Sequence, residues 1–189
     1  MTAPSSPIDI RQATLEDAEL LARLGAALFI QTFAPLNTPE DMAAYLPTAF
    51  SPVIQAAELE RKGTICLIAV IGGGGETPVG YAQLAESNPP DCVAEGNPIE
   101  LVRFYVDAAW HGQGVSPVLM EEILGRAAEG GHDSIWLGVW EKNARAIGFY
   151  EKKGFAIAGR KDFWLGADLQ TDLVMRRGLN VRAAVSFSG

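Results

Sequence analysis

Residues 104–124 read FYVDAAWHGQGVSPVLMEEIL. An apolar strand end runs into a short glycine-bearing turn, and apolar residues then recur at helical spacing. This order aims unpaired backbone N–H groups and the positive end of a helix at one point, an arrangement suited to holding phosphate. Ser116 is a good N-cap, and Pro117 suits a first helical position. A tight β–α turn without a ligand fits the same residues. No Gly-Lys-Ser/Thr follows, so the segment is not a Walker loop. It lies mid-chain without G-x-G-x-x-G, so it is not a Rossmann fingerprint.

Reading outward, Glu100 to Val106 forms the strand before the turn and Val115 to Glu129 the helix after it. Downstream come a strand at Ser134 to Trp140, a helix at Lys142 to Lys153, and strands at Phe155 to Phe163 and Gln170 to Arg176. Upstream, Ile8 to Arg11 is a strand, and Thr14 with Asp17 makes a capping-box-like start to a helix over LEDAELLARLGAALFIQTF. Thr38 caps a helix from Pro39 to Tyr45, and Ser51-Pro52 opens another. Thr64 to Ile71 is a buried strand, the glycines from Gly72 make a flexible turn, and Val79 to Ala85 is the hairpin partner. The irregular stretch ESNPPDCVAEGNP is a long loop of the kind that often carries function. The sum is one α/β domain with a mixed central sheet of about seven strands and helices on both faces. It spans residues 1–189, with a core at about 8–177 and a patternless tail at 178–189.

Composition narrows the function. The chain has 189 residues and a formal net charge of −8. Residues 1–95 hold 4 basic and 12 acidic side chains, and residues 96–189 hold 11 of each, so the negative excess lies in the first half. A nucleic-acid partner, which needs a basic face, is not expected. No apolar run reaches the roughly 18 residues of a membrane span, and MTAPSSPID lacks the regions of a secretory signal. Cys66 sits in an apolar strand and Cys92 in a polar loop, as expected of reduced thiols in a cytoplasm. His111 and His132 have no metal-ligand spacing, so no metal is expected. Oligomeric state stays open, a homodimer included.

A second segment, IWLGVWEKNARAIGFYEKKGF at 135–155, spaces Asn143, Ile147 and Tyr150 at i, i+4 and i+7, on one helix face. Core packing by Phe149 and Tyr150 is the plain alternative. Together the two segments resemble the GNAT N-acetyltransferase superfamily. The first looks like its pyrophosphate loop, Q/R-x-x-G-x-G/A, read here as His111, Gly112, Gln113, Gly114, Val115 and Ser116. Gly114 matches strictly, whereas His111 and Ser116 depart, and Pro117 removes one N–H donor. The second matches N-x-x-A-I-x-F-Y-x-K-x-G-F at Asn143, Ala146, Ile147, Phe149, Tyr150, Lys152, Gly154 and Phe155.

The resemblance implies a sheet splayed between the strands before and after the cofactor-binding helix. It implies acetyl-CoA as cosubstrate, held by Phe104, Tyr105, Val106, the 111–116 loop, Asn143 and Tyr150. Backbone N–H groups near Tyr105 and Val106 would stabilise the oxyanion. Tyr150 would donate a proton to the departing thiolate, since phenol (~10) and thiol (~8.5) have neighbouring pKa values. Glu100, on the face expected to include Val102 and Phe104, is the first candidate for general base. Glu86 or a water chain are alternatives.

The stretches LFIQTFAPLNTPEDMAAYLPTAF, IWLGVWEKN and FWLGADLQTDLVMRR are similar to PaiA-type spermidine/spermine N-acetyltransferases. This likeness covers about residues 8–177, although that subfamily often has an acid where Val102 stands. It implies transfer to a small cationic amine such as a polyamine, drawn in by Glu40, Asp41, Glu86, Asp91 and Glu95. A protein or peptide N-acetyltransferase, and a CoA-binding regulatory module with little turnover, are the other readings.

Overall fold

The computed structural model describes residues 7–72 and 77–179. The distal part of the glycine turn and the tail beyond Leu179 lie outside them. Strands are β1 (Ile8–Gln12), β2 (Ile65–Ile71), β3 (Thr77–Ala85), β4 (Pro98–Val106), β5 (Ser134–Trp140), β6 (Ala156–Leu165) and β7 (Asp168–Gly178). Helices are α1 (Ala18–Phe33), α2 (Pro39–Ala49), α3 (Pro52–Glu60), α4 (Val115–Glu129) and α5 (Ala144–Lys152). The seven strands form one sheet in the order β1-β2-β3-β4-β5-β7-β6.

Alternation along the strands builds two layers of core. Leu67 and Ala69 of β2 meet Leu119, Met120 and Ile123 of α4 on one face. Their neighbours Cys66, Ile68 and Val70 meet Leu21 and Leu28 of α1 on the other. A strand buried on both faces reads as a continuous apolar run, which is how TICLIAV reads. Burial pushes the Cys66 thiol up to about 12, so it is an inert packing residue.

The expected capping box forms, on a single 3-10 turn (Leu15–Asp17) that leads into α1. The Thr14 N–H donates to Asp17 Oδ2 at 2.8 Å, and Arg11 donates two further bonds to the same carboxylate, at 2.8 and 2.7 Å. Helical residues Leu15–Leu36 are long and apolar enough for a membrane span by length and composition, although charged side chains interrupt the run. Here Leu21, Leu28 and Phe29 of that run pack into the domain core.

Helix α2 runs past the expected end at Tyr45, through Pro47 to Ala49. Pro47 supplies no N–H to its turn. Packing keeps the helix going: the Tyr45 ring stacks on Phe29 at 4.9 Å, and the Phe50 N–H still reaches the Leu46 carbonyl at 2.9 Å.

What positions the site is the divergence of β4 and β5. They pair in parallel only at Pro98↔Ser134, Ile99↔Ile135 and Glu100↔Trp136. Beyond Glu100 the strands part. On its other edge β4 carries a bulge: Gln83 pairs with Arg103 and Leu84 with Leu101, leaving Val102 as the extra residue. A bulge reverses the inward–outward phase. The face predicted for Glu100, Val102 and Phe104 is therefore not one face. Phe104 turns toward α5, stacking on Phe149 at 5.5 Å. Arg103 and Tyr105 turn toward the layer of α1, α2 and α3.

Candidate active site

The gap between β4 and β5 opens into a cavity of about 680 Å³. Its two ends differ in chemistry.

The α4 end is made by the glycine loop. Gly112 and Gly114 have φ of +78° and +91°, the left-handed region that L side chains rarely adopt. Nothing lies within 4 Å of where a Gly112 Cβ would be, so this backbone is open to a ligand. Helix α4 starts at Val115 with Gly114 as its N-cap. Ser116 and Pro117 are therefore the second and third helical residues, not the cap and first residue. The left-handed glycine already turns the chain into the helix. The first-turn N–H groups have no partner within the helix, and Pro117 supplies none.

His111 holds the loop to the strand end, its Nε2 lying 2.9 Å from the Val106 carbonyl oxygen. His111, Gly112, Gly114 and Ser116 border the cavity. The Gln113 side chain turns back to donate to the Ala109 carbonyl at 2.6 Å. Val115 is fully buried against the sheet. These two side chains stay outside the cavity.

Helix α5 supplies the wall. Asn143 is its N-cap rather than part of the helix, and its Oδ1 accepts from the Ala146 N–H at 3.1 Å. The residues of this segment that border the cavity are Asn143, Arg145, Ala146, Phe149 and Tyr150. Ile147, expected on that face, packs into the α4-side core instead. Tyr150 is 8% exposed, with its ring against Phe104, Phe149 and Phe155. Burial pushes its phenol above the ordinary range, so it stays protonated and able to donate at neutral pH. Phe104, Tyr105 and Val106 border the cavity too. The β5-facing backbone of β4 beyond Glu100 has no strand partner there, leaving amide groups available to a ligand.

The opposite end faces α1, α2 and the β6–β7 hairpin. Phe29, Phe33, Tyr45, Trp140 and Phe163 give it an aromatic wall. Charged side chains enter it as well. Glu100 lies 3.9 Å from Lys161 Nζ. Lys161 pairs across the ladder with Asp172 and stands 5.4 Å over the Trp136 ring. Asp172 is 8% exposed and, among the described residues, accepts no hydrogen bond. Burial raises its carboxyl to about 6, with Lys161 pulling the other way.

Arg103 also reaches this end, but it is engaged. It forms a two-pronged ion pair with Glu58, donates to Gln83 Oε1 at 3.0 Å and to the Ala49 carbonyl at 3.2 Å. Those bonds join α3 to the sheet beneath the cavity.

Glu100 and Tyr150, expected from the sequence, border the cavity, and so do Lys161 and Asp172, which no expectation included. The available signal was a charged residue at an inward position of each of the last two strands. The five acids offered as a lure for cations do not line the cavity. Asp41 accepts instead from Thr38 Oγ1 at 2.6 Å and from the Ala167 N–H at 2.8 Å, tying α2 to the β6–β7 turn. The long loop packs Val93 against Trp136 and Val174, away from the cavity.

Comparison with known proteins agrees with this geometry. The profile of the acetyltransferase (GNAT) family matches residues 30–155. An uncharacterized N-acetyltransferase of Mycobacterium tuberculosis is 35% identical over 165 residues, 87% of this chain and 99% of the relative. Another from Lactobacillus delbrueckii subsp. lactis is 27% identical over 172 residues, 91% of this chain and 98% of the relative. The fold is similar to PaiA N-acetyltransferase from Thermoplasma acidophilum, solved with coenzyme A, at TM-score 0.72 and 21% identity, covering 91% and 99% of the two chains. The open glycine loop, the helix start beside it and the parted strands fit coenzyme A, whose acetylated form supplies the thioester when bound. The chain thus belongs to the acetyltransferase (GNAT) family, as an N-acetyltransferase with acetyl-CoA as its cosubstrate.

Proposed function

We propose that this enzyme acetylates the primary amine of a small cationic acceptor, a polyamine being the best fit. The observation that carries the reading is the composition of the acceptor end. Glu100 and Asp172 enter it among aromatic rings, and carboxylates with aromatic faces attract ammonium groups. Arg103 adds little net charge because Glu58 answers it, and the two carboxylates outnumber the one ammonium, Lys161, that shares the space with them.

In this reading the backbone of the 111–116 loop and the start of α4 hold the pyrophosphate. Asn143, Phe104 and the free edge of β4 hold the rest of the cofactor arm. Backbone groups near Tyr105 and Val106 stabilise the oxyanion, and Tyr150 protonates the leaving sulfur. The reading also has the protein working in a reducing cytoplasm, where the exposed Cys92 stays a free thiol.

The test is thiol release from acetyl-CoA with spermidine, spermine, lysine and N-terminal peptides. The highest kcat/KM is expected with a polyamine. A clear preference for peptides would replace this reading with a protein N-acetyltransferase. Tight CoA binding without turnover on any amine would make the chain a CoA-responsive module.

A further inference from the structure

We infer that Asp172, rather than Glu100, is the group that accepts the proton from the acceptor amine. The inference rests on the amine-acceptor reading above and adds a residue that no sequence motif singled out.

The first observation is the environment of the carboxylate. Asp172 stands in the cavity wall, 8% exposed, and no described group donates a hydrogen bond to it. A buried acid without a donor is costly to keep ionised. Structural acids elsewhere in this chain are served differently: Asp17, for instance, accepts from Arg11 and from the Thr14 N–H. Asp172 is left open on the side where an acceptor must lie.

The second observation is the contrast with Glu100. Glu100 sits at the last paired position of β4 and β5, at the closed end of the gap. Asp172 pairs with Trp140 at the far end of β5, where the strands have parted. That end leads directly through Glu141 and Lys142 to Asn143 and α5, which carries Tyr150. Asp172 and Tyr150 both border the one cavity. Lys161 lies between the two acids, 3.9 Å from Glu100 and opposite Asp172 on the ladder.

The charged and titratable groups facing Asp172 are few. Lys161 comes from β6, and Glu100 from β4 beyond it. The hydroxyls of Tyr45 from α2 and Tyr105 from β4 share its field, and both phenols are pushed up by burial. Arg103 is answered by Glu58. Against this background burial dominates, and the carboxyl titrates near 6. It is ionised at neutral pH and more basic than an ordinary aspartate, as a base requires.

Asp172 takes one proton from the ammonium, freeing the nitrogen lone pair. That pair forms the C–N bond at the thioester carbonyl, whose π electrons move onto oxygen. When they return, the C–S bond breaks and Tyr150 gives its proton to the departing sulfur. The second proton shed by nitrogen restores the phenol, and Asp172 releases its proton to solvent.

The test measures kcat/KM for spermidine against pH for the wild type and for Asp172→Asn and Glu100→Gln, with CoA affinity as a check of folding. The wild type should show an acidic limb near pH 6 whose position is unchanged with a second amine of different pKa. Asp172→Asn should lower kcat roughly 100-fold or more and lose that limb, while CoA affinity stays within about twofold of wild type. Glu100→Gln should keep the limb. A wild-type limb that follows the acceptor's own pKa overturns the proposal, with no variant needed. Survival of the limb in Asp172→Asn, or its loss in Glu100→Gln, overturns it as well. Thiol release with none of the amines overturns the acceptor reading and this role with it.

Discussion

Lys161 occupies the space that Gly138 leaves empty. A Cβ on Gly138 would lie 2.5 Å from Lys161 Cε and 3.0 Å from Asp172 Oδ2. The glycine in IWLGVW therefore lets the ammonium and the carboxylate share the floor of the acceptor end. Gly138→Ala should push the lysine aside and disturb the carboxylate with it. We expect kcat for the amine to fall by roughly tenfold to a hundredfold, the scale of an ångström-level misplacement. The α4 end is untouched, so CoA affinity measured by calorimetry should stay near wild type.

Tyr150→Phe removes one oxygen from a ring held by Phe104, Phe149 and Phe155. The packing survives, so the change reports on the hydroxyl. Turnover should drop about 100-fold, the lower end for a lost general acid, with little change in acetyl-CoA KM. Unchanged turnover would take Tyr150 out of the mechanism.

Local signals made the cofactor side of this site legible. Helix α4 at Val115–Glu129 and strand β5 at Ser134–Trp140 have the bounds read from apolar periodicity. The glycines that bend the chain into α4 stand next to it in sequence. The acceptor side was hidden for three physical reasons. The bulge at Val102 reversed the phase of β4, so that Glu100 and Phe104 part. Lys161 and Asp172 meet only through a cross-strand register. The acidic excess of the first half is spent on caps, solvent and Arg103, while both cavity acids come from the neutral half. Net charge by segment does not say where a strand will turn its side chains.

Glu58 and Arg103 bear on stability rather than chemistry. Their side chains are 20% and 9% exposed, and Arg103 also lies 5.4 Å over the Phe50 ring. Glu58→Ala leaves a buried guanidinium with only neutral acceptors. Breaking one partner of such a pair costs about 3–5 kcal/mol, and urea unfolding should register a loss on that scale. Because this pair lies under the acceptor end, amine KM should rise as well.

Asp172 makes a final prediction about pH and stability. Its folded-state carboxyl titrates near 6, raised chiefly by burial, against about 3.9 in an unfolded chain. Between those values the folded state binds the proton more tightly, so this residue's contribution falls as pH rises from about 4 to about 6. Above 6 the penalty of a buried charge is fully present and constant. Asp172→Asn removes that charge without changing the volume. Thermal melting should therefore find the variant more stable than wild type at pH 8, with the advantage shrinking as pH falls through 6 toward 4. The same variant is expected to be catalytically poor, so the sign of the two effects should be opposite. A variant less stable than wild type at pH 8, with no narrowing at pH 5, would mean that Asp172 has a donor and is not an open carboxylate.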